Sequence, residues 1–117
     1  MNEPKKQYTV KDNQLVYDDG TAVNFECPIK KTRDYDELTV VLLETSKNNY
    51  SENAFAVDAH GNHLWQVEPV PLYDEPRYVA YTGIVRRDDG IFLYRYDGYI
   101  VKVDPETGKI LSEEFVK

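Results

Sequence analysis

The sequence holds one cysteine, Cys27, one tryptophan and one methionine. A lone cysteine cannot form an intramolecular disulfide, so nothing calls for an oxidising compartment, and a cytoplasmic location is expected. Long apolar runs are missing as well. The longest, Val40-Val41-Leu42-Leu43, falls far short of the about 20 residues that span a bilayer. The N-terminal MNEPKKQYTV has no apolar centre, so no secretory leader is expected. No window places apolar residues at i, i+3, i+4 and i+7 between caps, which argues against helices. There is no H-E-x-x-H pattern, no cysteine pair and no G-x-x-x-x-G-K loop, so the familiar zinc and phosphate signatures are absent. Positive charge is in the minority: the net charge is −7, spread as −3 over residues 1–52 and −4 over residues 53–117. Nucleic acid and anionic membranes are repelled by such a field, so neither is expected as a partner.

What the chain does hold is rings and turns. Aromatics make up 13% of its 117 residues, ten of them tyrosine, enough bulk for a packed core without metals or disulfides. One domain over 1–117 is expected, with residues 1–7 as a flexible lead-in. Asp18-Asp19-Gly20, Asp58-Ala59-His60-Gly61, Asp88-Asp89-Gly90, Asp97-Gly98 and Asp104-Pro105-Glu106-Thr107-Gly108 all separate apolar runs. Aspartate accepts backbone N–H bonds in such turns and glycine supplies positive φ. Asp97-Gly98 reads as a two-residue type I′ hairpin turn.

The runs between the turns alternate with period two. Phe92, Tyr94 and Tyr96 share one face, and Ile91, Leu93 and Arg95 the other; Trp65, Phe92 and Tyr94 are expected in the core. Residues 38–44 are apolar on both faces, as in a central strand. Leu15–Tyr17 and Ala22–Phe25 form an early hairpin, and residues 77–87 form another strand. Residues 45–52 read as a polar loop. Residues 69–76, PVPLYDEP, carry three prolines and read as an extended connection. The total is eight or nine strands and little or no helix. The expected fold is all-β: an antiparallel meander forming a small sandwich or half-barrel of propeller-blade-like sheets.

Phe55-Ala56-Val57-Asp58…Gly61…Leu64-Trp65 and Val101-Lys102-Val103-Asp104…Gly108…Ile110-Leu111 place their aspartates 46 residues apart. In hairpins 53–68 and 91–115 this pattern resembles the repeat of quinoprotein-type β-propellers, in which an apolar strand ends in Asp, a glycine turn follows, and the next strand opens with an aliphatic residue and often Trp. A propeller needs several blades, and 117 residues hold two at most, so the resemblance carries over no cofactor-binding residue. The chain is also similar, at Gly61–Pro69 and Tyr96–Ile110, to small bacterial single-domain proteins; that likeness implies no particular activity.

The candidate chemistry is thin. His60 and His63 flank a turn near Asp58 but lack a third ligand, so they read as polar turn residues and no metal is expected. Cys27, before Pro28, reads as a small buried side chain rather than a nucleophile. The carboxylate pairs Asp18-Asp19, Asp34/Asp36-Glu37, Asp74-Glu75, Asp88-Asp89 and Glu113-Glu114 sit mostly in turns, where adjacent groups do not face each other across a cleft. No catalytic residue and no cofactor is expected. The tyrosines carry more weight, because rings with a polar tip suit interfaces. Tyr73, Tyr78, Tyr81, Tyr96 and Tyr99 form the candidate binding surface. The leading expectation is a small acidic, non-enzymatic domain that binds a protein, with an immunity-type blocker of a basic toxin as one concrete form. A small-ligand or carbohydrate-binding module, and a self-associating structural protein, stay open beside it.

Overall fold

The computed structural model describes residues 8–36, 38–44, 52–68 and 80–116. Three antiparallel sheets account for all of its regular structure. Strands β1 (Tyr8–Lys11), β2 (Gln14–Tyr17) and β3 (Ala22–Asn24) form the first sheet. Strands β4 (Ile29–Asp34), β5 (Leu38–Leu43), β6 (Ala54–Asp58) and β7 (His63–Gln66) form the second, and β8 (Tyr81–Val85), β9 (Ile91–Arg95), β10 (Tyr99–Val103) and β11 (Ile110–Phe115) the third. Every ladder joins strands adjacent in sequence, and no barrel closes among the described residues. Among those residues no helix is long and apolar enough to cross a membrane. Of the expected loop at 45–52 all but Glu52, together with the connection at 69–76 and the lead-in at 1–7, lies outside the described residues.

The all-β sandwich expected from the alternation is what forms, built as three layers with the second sheet in the middle. Its central strand β5 is buried at all six positions, as its two apolar faces require. Leu38, Val40 and Leu42 point into one core with Trp65 and Val67, against Tyr81, Ile91, Leu93, Val101 and Val103 of the third sheet. Val41 and Leu43 point the other way, into a second core with Leu15, Tyr17, Phe25 and Cys27 from the first sheet and its exit. Two cores back to back let a small chain bury both faces of one sheet.

The eleven strands exceed the eight or nine expected. The additions are edge strands. β1 and β4 read YTVK and IKKTRD, and charge on an edge, which protects it from stray pairing, also blurs the apolar signal.

Three of the turns follow one scheme. Gly20 N–H donates to Tyr17 O at 3.0 Å, Gly61 N–H to Asp58 O at 3.1 Å, and Gly98 N–H to Arg95 O at 3.0 Å. Each glycine has positive φ, so each loop is a type I turn closed by a glycine bulge. This corrects the type I′ expectation at Asp97-Gly98: the pairing of Tyr94 with Ile100 leaves Tyr96, Asp97 and Gly98 in the loop, and Asp97 has no positive φ. The two-residue turn lies instead at Asp12-Asn13, between paired Lys11 and Gln14, with Asp12 at φ 52°.

Candidate functional site

The two hairpins singled out by their shared pattern meet in space. Each joins the last two strands of its sheet, β6–β7 and β10–β11. In the first turn, Asp58 accepts the backbone N–H groups of His60 and Asn62 and the Asn62 side-chain amide. Partial burial pushes the Asp58 carboxyl up, but these donors outweigh it and hold the group below its usual value. In the second turn, Asp104 accepts the Glu106 N–H at 2.8 Å. Trp65 of the first hairpin lies on the turn of the second: its indole Nε1–H donates to Pro105 O at 2.8 Å, and its ring covers Gly108 so closely that a Cβ there would stand 2.7 Å from Trp65 Cε3. Glu68 N–H reaches Gly108 O at 3.2 Å, and Glu68 Oε1 accepts the Ile110 N–H at 2.6 Å. These contacts explain both the glycine and the tryptophan as packing.

The remaining candidates sort by burial. Cys27 is 3% exposed, in the core between the first two sheets. His60 is exposed in its turn. His63 is no turn residue; it opens β7 and sets its ring edge-on against Phe55 at 5.3 Å. No three His, Cys, Asp or Glu side chains gather as a metal site among the described residues. Asp34 is occupied by the hydroxyls of Tyr8 and Thr39. A cleft of about 420 Å³ opens beside Arg33, Tyr35, Asp36, Arg87 and Asp88. Tyr35 is the one ring among its described lining residues, and Arg33 stacks on that ring at 5.0 Å.

The tyrosine surface comes apart in the structure. Tyr73 and Tyr78 lie outside the described residues. Tyr81 is corrected from surface to core: it is 2% exposed, because alternation on β8 turns it toward β5 and β9. Its hydroxyl makes no hydrogen bond of good geometry among the described residues although it lies close to the Arg95 guanidinium, and burial pushes its pKa up to about 12. Tyr94 is half-buried rather than core, and Phe92, though 7% exposed, sits on the outer face of the third sheet. There Arg87 and Lys102 cover it at 4.8 and 5.6 Å. The core face of β9 is the Ile91 and Leu93 face. Trp65 is buried as expected.

Tyr96 and Tyr99 remain, and they come together with residues that alternation alone did not single out. Tyr99 packs edge-on against Phe115 at 5.1 Å. Phe115 also lies over Gly98 and stays 58% exposed. Tyr96 is 72% exposed in the adjoining turn and Leu111 is 56% exposed farther along β11. Behind this row the Arg95 guanidinium is almost wholly buried, held by Asp97 at 2.8 Å and Glu113 at 2.7 Å, and stacked under Tyr99 at 4.7 Å. Burial works against the Arg95 charge, but its two carboxylate partners more than offset it. Glu114 meets Arg87 at 3.7 Å on the other face. The result is an apolar row on an outermost strand, backed by a fixed ion cluster and rimmed by acid. Nothing in the sequence singles out Leu111 and Phe115, because Ser112-Glu113-Glu114 between them reads as solvated surface.

No curated protein matches the chain. A family model described as a domain of unknown function, DUF7957, matches residues 5–115; the protein belongs to that family.

Proposed function

We propose that this protein is a non-enzymatic binding domain that docks a basic protein on the surface formed by β11 and the turn before β10. One observation carries the reading. Of the five large apolar side chains exposed among the described residues, Tyr96, Leu111 and Phe115 lie on this one margin, while Val10 and Leu64 stand apart on β1 and β7. Exposed apolar groups that cluster beside a fixed polar rim mark interaction surfaces, whereas scattered ones do not. The acidic balance of the whole chain, −7, suits a cationic partner and would speed its approach. An immunity-type role, in which a small acidic domain covers the working face of a basic toxin in the cytoplasm, is the concrete form that fits. The buried single cysteine is compatible with that compartment. The likeness of the two hairpins to propeller repeats bears, in this reading, on ancestry and not on chemistry.

The test is site-specific crosslinking. A photoreactive residue replaces Tyr96 or Leu111 and, as control, Ala22 on the far sheet. Recovery of the same basic protein from positions 96 and 111, and not from 22, supports the reading. Recovery from all three positions alike, or from none, refutes it.

A further inference from the structure

Among the described residues, the outer edge of β11 carries backbone groups that its own sheet leaves unused beyond the Ile110 N–H held by Glu68. Val116 N–H donates to Gly98 O at 2.8 Å, and the register runs from Tyr99↔Phe115 to Lys102↔Ser112. Inward and outward groups alternate along an antiparallel ladder. Ser112 and Glu114 therefore bond toward β10, while Glu113 and Phe115 turn their N–H and C=O away from it, and β11 is the outermost strand. Three of the other five edges are guarded. β4 presents Lys30 and Lys31, β7 is overlaid by the turn that holds Trp65, and Arg33 reaches across to Val85 O at the end of β8.

The charges decide what can occupy the edge. Glu68, Glu113 and Glu114 stand along it, with Lys109 just before its first residue, Arg87 beside Glu114, and Arg95 held by Asp97 and Glu113. A second copy paired antiparallel and centred on Glu113 or on Glu114 is disfavoured, because that carboxylate then stands opposite its own twin. An extended cationic segment meets the opposite situation, with its backbone satisfied and its charges matched.

We infer that β11 accepts an extended, lysine- or arginine-bearing segment of the partner protein as a fifth strand of this four-stranded sheet. The segment pairs with the backbone of Glu113 and Phe115. Its cationic side chains meet Glu114 on one face, and its apolar ones pack on Phe115 and Leu111 on the other. The inference rests on the reading of this margin as a docking surface and names the chemistry of what docks.

The probe is a short peptide alternating valine with lysine, added to the full-length, isotope-labelled protein and followed by amide NMR. The expected result is protection of the Glu113 and Phe115 amides from hydrogen exchange. Affinity is expected to fall about tenfold in Glu114→Lys, and binding to vanish for a copy of the peptide methylated on alternate backbone nitrogens. Equal binding of the methylated copy, equal binding of a valine–glutamate peptide, protection at another edge, or no binding overturns strand addition. So does dimerisation through β11 in sedimentation. Crosslinks from positions 96 and 111 to a partner, with the two amides left unprotected, would remove strand addition and keep the docking surface. Protected amides without any crosslinked partner would keep the strand-accepting edge and remove the docking reading.

Discussion

At the scale of single residues, two glycines with similar backbones separate strain from crowding. Gly20 has φ 92° and open space where a Cβ would go; Gly108 has φ 78° and a Trp65 ring atom 2.7 Å away. Gly20→Ala is expected to cost about 1–2 kcal/mol from backbone strain alone. Gly108→Ala adds an overpacking term of about 1–3 kcal/mol, so its denaturant midpoint should fall clearly below that of Gly20→Ala. From the other side of the same contact, Trp65→Ala is expected to cost about 3–5 kcal/mol. Trp65→Phe should lose less, since it keeps a ring and gives up the bond to Pro105. Urea unfolding followed by far-ultraviolet circular dichroism measures both, because either substitution removes the only tryptophan signal. Tyr81 gives a prediction in pH. Its pKa stands near 12 in the folded protein against an ordinary 10.0, chiefly through burial. The folded state therefore holds this proton more tightly than the unfolded chain does. The associated stability is complete below pH 10 and drains away as pH climbs toward 12. Denaturant midpoints should decline across that window, an absorbance titration should show Tyr81 among several phenols ionising late, since burial raises Tyr8, Tyr17 and Tyr35 as well, and Tyr81→Phe should lessen the decline and remove one late phenol.

At the scale of elements, Asn53 joins two sheets. It is 1% exposed, donates to Leu43 O at 2.8 Å and Tyr81 O at 2.9 Å, and accepts the Tyr81 N–H at 2.9 Å. Asn53→Ala leaves three buried backbone groups without that partner, at about 1–3 kcal/mol for each group left dry. A loss of about 3–5 kcal/mol in urea unfolding is the expected outcome, and a loss below about 1 kcal/mol would show that water takes over the bonds. Nothing in the sequence distinguishes this asparagine from those in loops, because its role depends on β8 arriving from the far side of the 69–79 segment. The same limit explains β9. Alternation separates Ile91 and Leu93 from Phe92 and Tyr94, but both sets are apolar, and the side that meets the core is set by the packing of another sheet. The Arg87 and Lys102 stems then cover Phe92, so it is buried without being in the core. What local chemistry alone decides was legible: β5 as a central strand, the glycines that close the turns, Trp65 inside. Of the proposed docking surface, Tyr96 and Tyr99 were legible as interface-type rings. Phe115 and Leu111 were hidden by acidic neighbours that read as solvated surface.

At the scale of the whole molecule, charge and layering act together. The excess of acid, −7 over the chain, is tolerable in so small a body because its carboxylates stand mostly in turns and along edges, where water screens them. A basic partner should therefore associate more slowly as salt rises from about 0.05 to about 0.5 M, with a smaller change in dissociation rate, since steering acts on the encounter. Stopped-flow measurement against the crosslinked partner checks this; an association rate indifferent to salt would place recognition in the apolar row alone.

The pairing of every strand with its neighbour in sequence also governs how the protein comes into being. Each ladder closes a short stretch of chain, so little loop-closure entropy stands against it. As the polypeptide leaves the ribosome, the first sheet can zip before the second exists, and the second offers its bare face before the third is made. The strand proposed to receive a partner follows the other described strands in the chain, so the nascent polypeptide can build the sheets beneath it before it has an adhesive rim.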